Sequence, residues 1–177
     1  MKAPFFLLAA AALLSSCSAK IDTRVMSSGV QGPSAAGYIV VPPANLESPA
    51  YHQSKALIAK QLSAKGYQAA NDGSLYLEVG IAARPASLSL RQSGKLLAEA
   101  STKRRAGKCQ NQEYRLTVAL TRISDGAEIY RGSAGEYHCK QPLEAVLPQL
   151  VGAALADLGN PKGDYVNSRW IKHRWFR

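Results

Sequence analysis

"EYRLTVALTRISDGAEIYRGSAGEYH", residues 113–138, consists of two β-rich runs around Asp125-Gly126. Asp-Gly between such runs is among the strongest short hairpin signals, because both residues tolerate the backbone conformations that tight hairpin turns require. In the first run Tyr114, Leu116, Val118 and Leu120 recur at a spacing of two, while Arg115, Thr117 and Thr121 face the other way. That alternation belongs to an antiparallel strand with one face on a core and one face wet. The hairpin therefore implies a sheet covered on one side.

Working outward, "SLYLEVGIAA" (74–83) repeats the pattern: Leu75, Leu77, Val79 and Ile81 share a face, and Glu78 points away as a solvated strand residue. "IDTRVMS" (21–27) reads as a short strand, and "YIVV" (38–41) as a second one stopped by Pro42-Pro43. Ser48 as N-cap, with Pro49 at the first helical position, opens a helix over about 48–65 that carries Tyr51, Ser54, Ile58 and Leu62 along one side before Gly66 ends it. "YQAA" follows. A further hairpin about Gln92-Ser93-Gly94 is suggested by "ASLSLRQSGKLLAEA" (86–100), with Pro85 at an edge or bend. In "PLEAVLPQLVGAALADLGNP" (142–161), Leu143, Val146, Leu147, Leu150, Val151, Ala154, Leu155 and Leu158 trace a helical stripe. Pro148 lies inside it, so the helix either kinks there or starts near Gln149. The expected class is α+β, a single mixed or mostly antiparallel sheet with two main helices packed on one face.

The N-terminus supplies an address. Met1 and Lys2 precede "APFFLLAAAALL", which has the layout of a secretory signal peptide and falls short of the ~20 apolar residues that span a bilayer as a permanent helix. Leu14-Ser15-Ser16-Cys17 then resembles the lipobox of bacterial lipoproteins, in which the cysteine thiol takes the lipid through a thioether. The resemblance implies removal of residues 1–16, three acyl chains on Cys17, and, with Ser18 next, sorting to the outer membrane facing the periplasm. The mature 161 residues suffice for one domain. The expected divisions are a lipidated N-terminus with a short strand and loop at 17–37, the α+β domain at 38–165 and a basic aromatic tail at 166–177.

With Cys17 lipidated, Cys109 and Cys139 remain, an even pair in an oxidising compartment. Folding the chain at Asp125-Gly126 brings them roughly level across the hairpin. A disulfide would staple its open end; the alternatives are two free thiols or a metal pair with His138, which lacks ligand count.

The order of elements, with the lipobox, "LSAKGYQAA", "SLYLEVGI", "LTRISDGAEIYRGSA" and "LVGAALADLGNPKG", resembles a family of small proteobacterial periplasmic lipoproteins whose shared domain has no assigned function. Members tend to end the second hairpin strand in tryptophan, arginine and glycine; here Tyr130-Arg131-Gly132 stands there. The resemblance brings no catalytic residue with it, and by analogy of fold it favours an envelope role.

No HExxH, nucleophile elbow, phosphate-binding glycine loop or paired-cysteine zinc pattern occurs, and His52, His138 and His173 are dispersed as surface histidines. We therefore expect no catalytic residue, metal or cofactor. Charge is what remains. Arg84, Arg91, Lys95, Lys103, Arg104, Arg105 and Lys108 face a single acid, Glu99, and the tail adds Arg169, Lys172, Arg174 and Arg177 around Trp170, Trp175 and Phe176. Cations among tryptophans suit an anionic lipid or lipopolysaccharide surface. A last strand whose tryptophans cover the sheet would give the same pattern. Nucleic acid is not expected behind a lipoprotein address. Two functions follow: a non-enzymatic, lipid-anchored protein that binds anionic envelope surface or an envelope protein complex, or a periplasmic hydrolase or modifying enzyme with an atypical site.

A Cys109–Cys139 bridge would contribute about 2–4 kcal/mol. Non-reducing peptide mapping is expected to recover the two cysteines in one linked peptide pair, and reduction to lower the unfolding midpoint; two separately alkylated peptides would exclude the bridge.

Overall fold

A computed structural model describes residues 18–30, 32–33, 35–42, 48–85, 90–92, 95–98, 112–139 and 141–172. The elements in order are β1 (Ser18–Ser28), β2 (Ala36–Val40), α1 (Pro49–Ala64), β3 (Tyr67–Ala69), β4 (Leu75–Pro85), β5 (Leu90–Gln92), β6 (Lys95–Ala98), β7 (Gln112–Arg122), β8 (Glu128–His138), α2 (Leu143–Ala154) and β9 (Gly163–Lys172). Seven strands form one mixed sheet in the order β3-β2-β4-β7-β8-β1-β9, and β5 and β6 pair separately. The fold is α+β.

The Asp125-Gly126 turn forms as its chemistry predicts. Gly126 takes a φ of +71°, the Asp125 carboxylate accepts from the Ala127 N–H at 3.0 Å, and β7 and β8 pair over their whole lengths from Gln112↔His138 to Thr121↔Glu128. β4 adds to β7 from Leu75↔Arg122 to Pro85↔Gln112. Their inward faces, Leu75, Leu77, Leu116, Val118, Leu120, Tyr130 and Ala134, meet Ile58 and Leu62 of α1 and Val146, Leu147, Leu150 and Val151 of α2 in one core.

Both helices follow local rules. Ser48 Oγ accepts from the Tyr51 N–H at 3.2 Å, Pro49 begins α1, and Gly66, at φ +90°, ends it. α2 runs through Pro148 without a break. Proline cannot donate to the carbonyl four residues back, that of Glu144; Gln53 Nε2 of α1 donates to that carbonyl at 3.1 Å instead. The side chain that fills the gap thus also joins the helices.

Two expectations are corrected. The stretch read as a short N-terminal strand is an eleven-residue strand inside the sheet, between β8 and β9, and the basic tail up to Lys172 is β9 itself. The expected boundaries at 37/38 and 165/166 consequently fall inside β2 and β9, and the first and last described strands, β1 and β9, belong to the one sheet.

α2 lies so close to β8 that a Cβ at Gly132 would collide with the Ala154 carbonyl oxygen, which accepts from the buried Tyr130 hydroxyl at 2.6 Å. Gly132→Ala is expected to cost about 1–3 kcal/mol through overpacking. Tyr130→Phe, which orphans a buried carbonyl, is expected to cost about 1–3 kcal/mol. Urea unfolding of both variants checks this, and native-like midpoints would contradict the packing.

Candidate functional site

The pairing registers bring four separate parts of the chain to one end of the sheet. β1 enters there at Ser18, the residue after Cys17, and β9 ends there, with Ser18 opposite Lys172 and Lys20 opposite Trp170. β4 leaves the sheet at the same end at Pro85, β7 returns at Gln112, and β8 ends at His138, opposite Gln112. The Asp125-Gly126 turn and Gly163 lie at the other end. Ser18, both described flanks of the basic 86–111 stretch, Pro85 and Gln112, and the end of β9 therefore lie at one end of the sheet, though they are far apart in sequence.

Charge follows the same division. Residues 84–108 and 166–177 hold eleven Lys and Arg against one acid, whereas the rest of the expected mature chain holds ten against eleven. The chain's excess charge thus lies in two stretches of which Arg84 and Lys172 are placed at this end of the sheet.

A buried carboxylate holds the end together. Glu136 of β8 has no exposure and lies on the helix-side face. It accepts from the Thr23 hydroxyl of β1 and from both Nη1 and Nη2 of Arg169 of β9, the latter at 2.8 Å, and shares a 2.7 Å hydrogen bond with His138 Nε2. Arg169 Nη1 also donates to Thr23 Oγ1 at 2.9 Å. His138 stacks on Tyr114, with ring centroids 5.9 Å apart. Burial works to raise the Glu136 pKa, but the hydrogen bonds from Arg169, His138 and Thr23 outweigh it and hold the group down at about 2. The cluster locks β8, β1 and β9 in register.

On the opposite, open face of the sheet, the buried Glu113 of β7 accepts from two arginines. Arg84 of β4 reaches Oε2 through Nε and Nη2, both at 2.7 Å, and Arg115 reaches Oε1 through Nη2 at 2.8 Å. Ala82, Arg84, Glu113 and Arg115 line a hollow of about 330 Å³. Tyr137, opposite Glu113 on β8, and Trp170, 70% exposed on β9, continue this face. A smaller hollow of about 170 Å³ opens on the helix side between Tyr51, Ile81 and Leu143.

Of the predicted surface contacts, Trp170 stands exposed at the edge, whereas Arg169 turns inward to Glu136 and Arg84 is engaged with Glu113. Lys172 closes β9. The backbone of Arg91 lies in β5. Lys103, Arg104, Arg105, Lys108, Arg174, Trp175, Arg177, Cys17 and Cys109 lie outside the described residues. Cys139 directly follows β8 and is not a free group. His138, expected at the surface, is buried: it falls on the face of Ala134 and Glu136, where that carboxylate gives it a partner. Glu136 and Glu113 escaped sequence reasoning. The first carried a signal, since its spacing of two from Ala134 and Tyr130 assigns it to the core face. Among the described residues no cluster of metal-binding side chains occurs, and no helix is long and apolar enough to cross a membrane.

No protein-family model matches the chain, and no curated protein sequence matches it. Similar solved structures include the PelC dodecamer from Paraburkholderia phytofirmans, 16% identical over 78% of this chain and 99% of that one, with a TM-score of 0.49. A point variant of it gives 17% identity over the same shares, with a TM-score of 0.48. A PDZ domain protein from Parabacteroides distasonis matches 92% of this chain at 9% identity and a TM-score of 0.58, with 41% of its own length covered. This last likeness is one of fold alone.

Because the folded-state pKa of Glu136 lies below its ordinary value of 4.5, its contribution to stability is complete above about pH 4.5 and is lost as pH falls toward 2. The loss is expected to be on the order of 3 kcal/mol. Glu136→Gln should flatten that acid limb in denaturant titrations between pH 5 and 2.5. Arg169→Met, which leaves a buried charge unpaired, should cost about 3–5 kcal/mol at pH 7.

Proposed function

We propose that the chain is a non-enzymatic, lipid-anchored protein of the bacterial envelope, held at the periplasmic face of the outer membrane. Its Ser18 end rests against anionic membrane surface. The observation that carries this reading is the β1/β9 register, with Ser18 opposite Lys172 and Trp170 opposite Lys20. A lipid on Cys17 would leave one peptide unit between the anchor and the first strand residue. The domain would then sit against the bilayer, with Trp170 at headgroup level and the basic stretches that adjoin this end turned toward phosphate.

The energetics fit. Acyl chains on one cysteine provide the anchor, and each Lys or Arg near an anionic leaflet adds about 1 kcal/mol, an attraction that decays within a Debye length. The sheet would thereby be oriented as well as tethered. Its opposite end, around Asp125, and its open face would be left to meet other envelope components.

The test removes the anchor to isolate the surface. The mature chain with Cys17→Ala is expected to bind vesicles of mixed phosphatidylglycerol and phosphatidylcholine but not phosphatidylcholine alone. Raising salt from about 50 to 500 mM should weaken binding at least tenfold. Trp170→Ala with Trp175→Ala should weaken it several-fold. Binding that ignores lipid charge and salt would contradict the proposal, as would an intact mass showing no lipid on the native chain.

A further inference from the structure

We propose that the open-face hollow between Arg84 and Arg115 is a binding site for a single phosphoryl group, carried by a lipid headgroup or by a free phosphorylated molecule. The site deepens the membrane reading above and rests on it only for the headgroup source of the phosphate.

The geometry is that of a prearranged guanidinium pair. Glu113 is buried beneath the two arginines, and each of its oxygens is taken by one of them, Oε2 by Arg84 and Oε1 by Arg115. One carboxylate thus orients two cations and leaves a net positive charge above it. The contacts use Nε and Nη2 of each arginine, so both Nη1 groups remain as donors, on side chains that line the hollow. The arginine side chains are 52% and 36% exposed, reachable from solvent while fixed at their inner edges. A small residue makes the room: Ala82 lines the hollow beside the two arginines.

A hollow of about 330 Å³ lined by two guanidinium groups suits a tetrahedral oxyanion, because each planar, permanently charged guanidinium keeps further N–H donors beyond those given to Glu113, whereas an ammonium group acts as a point charge. The position fits either source. Arg84 and Glu113 stand one residue pair from the last β4/β7 pair at the Ser18 end. They lie within the part of the domain nearest the proposed membrane surface.

The test uses the mature Cys17→Ala chain and reads the Nε–H resonances of Arg84 and Arg115 by NMR during titration with inorganic phosphate. In parallel, binding to phosphatidylglycerol vesicles is measured. Saturable shifts of both resonances are expected. Arg84→Lys with Arg115→Lys keeps every charge but removes the forks, and should weaken phosphate binding about tenfold. Ala82→Leu, which fills the hollow without touching a charge, should do the same. If these variants also lose vesicle binding, the phosphate is a headgroup's; if vesicle binding is unchanged, it is a free molecule's, and the site stands in both cases. Native phosphate binding by the double-lysine variant, or no saturable shift in the native chain, would overturn it. Trp170→Ala with Trp175→Ala provides the separation from the membrane reading: it should weaken vesicle binding and leave the phosphate shifts intact.

Discussion

A carboxylate with no exposure to water needs partners, and Glu136 finds them on two other strands. Thr23 supplies a hydroxyl from β1 and Arg169 a guanidinium fork from β9, while His138 closes the remaining side from β8 itself. Any slip of β1 or β9 by one residue would turn Thr23 or Arg169 to the other face and strand the charge, at a cost of several kcal/mol. The N- and C-terminal strands are thereby held side by side. Everything proposed about how the domain meets a membrane depends on that adjacency.

The same physics appears twice with different outcomes. Glu136 on the helix side is sealed and satisfied by one arginine, a histidine and a hydroxyl, so it serves the fold. Glu113 on the open face binds two arginines that stay in contact with solvent, so the unit it builds keeps donors and charge available to a ligand. Burial on one face and exposure on the other follow from where the helices lie. With α1 and α2 both on one side, the open face is left with Arg84, Arg115, Tyr137 and Trp170 in reach of solvent.

Elements governed by local chemistry are legible in the amino-acid sequence. The Asp-Gly hairpin, the Ser48-Pro49 helix start, the Gly66 stop and the alternation of Leu75 to Ile81 all form as expected, because each depends on neighbours a few residues away. The place of β1 between β8 and β9 is not legible there, and the strand at 163–172 is legible only as one of two readings. In "GDYVNSRWIK" polar residues occupy both faces, since it is an edge strand and its inward-facing Arg169 is there to meet Glu136. An arginine destined for an ion pair looks the same in sequence as one destined for a surface. The basic stretches are visible from composition alone, but that Arg84 and Lys172 come to the same end of the sheet depends on the pairing registers, which sequence spacing does not encode. Arg84 stands out for its charge, while the partner that orients it, Glu113, lies on another strand.

The orientation of the domain on the bilayer is the claim on which the functional account turns, and the tryptophans report it. The chain has two, Trp170 and Trp175, both at the C-terminal side of β9. The measurement is fluorescence quenching by brominated phosphatidylglycerol for the lipidated chain in vesicles. It is compared with a Trp170→Phe, Trp175→Phe, Tyr76→Trp variant, whose reporter lies near the far end of β4. The account predicts strong quenching of the native tryptophans and little of the one at position 76. Equal quenching at both positions, or the reverse order, would contradict it.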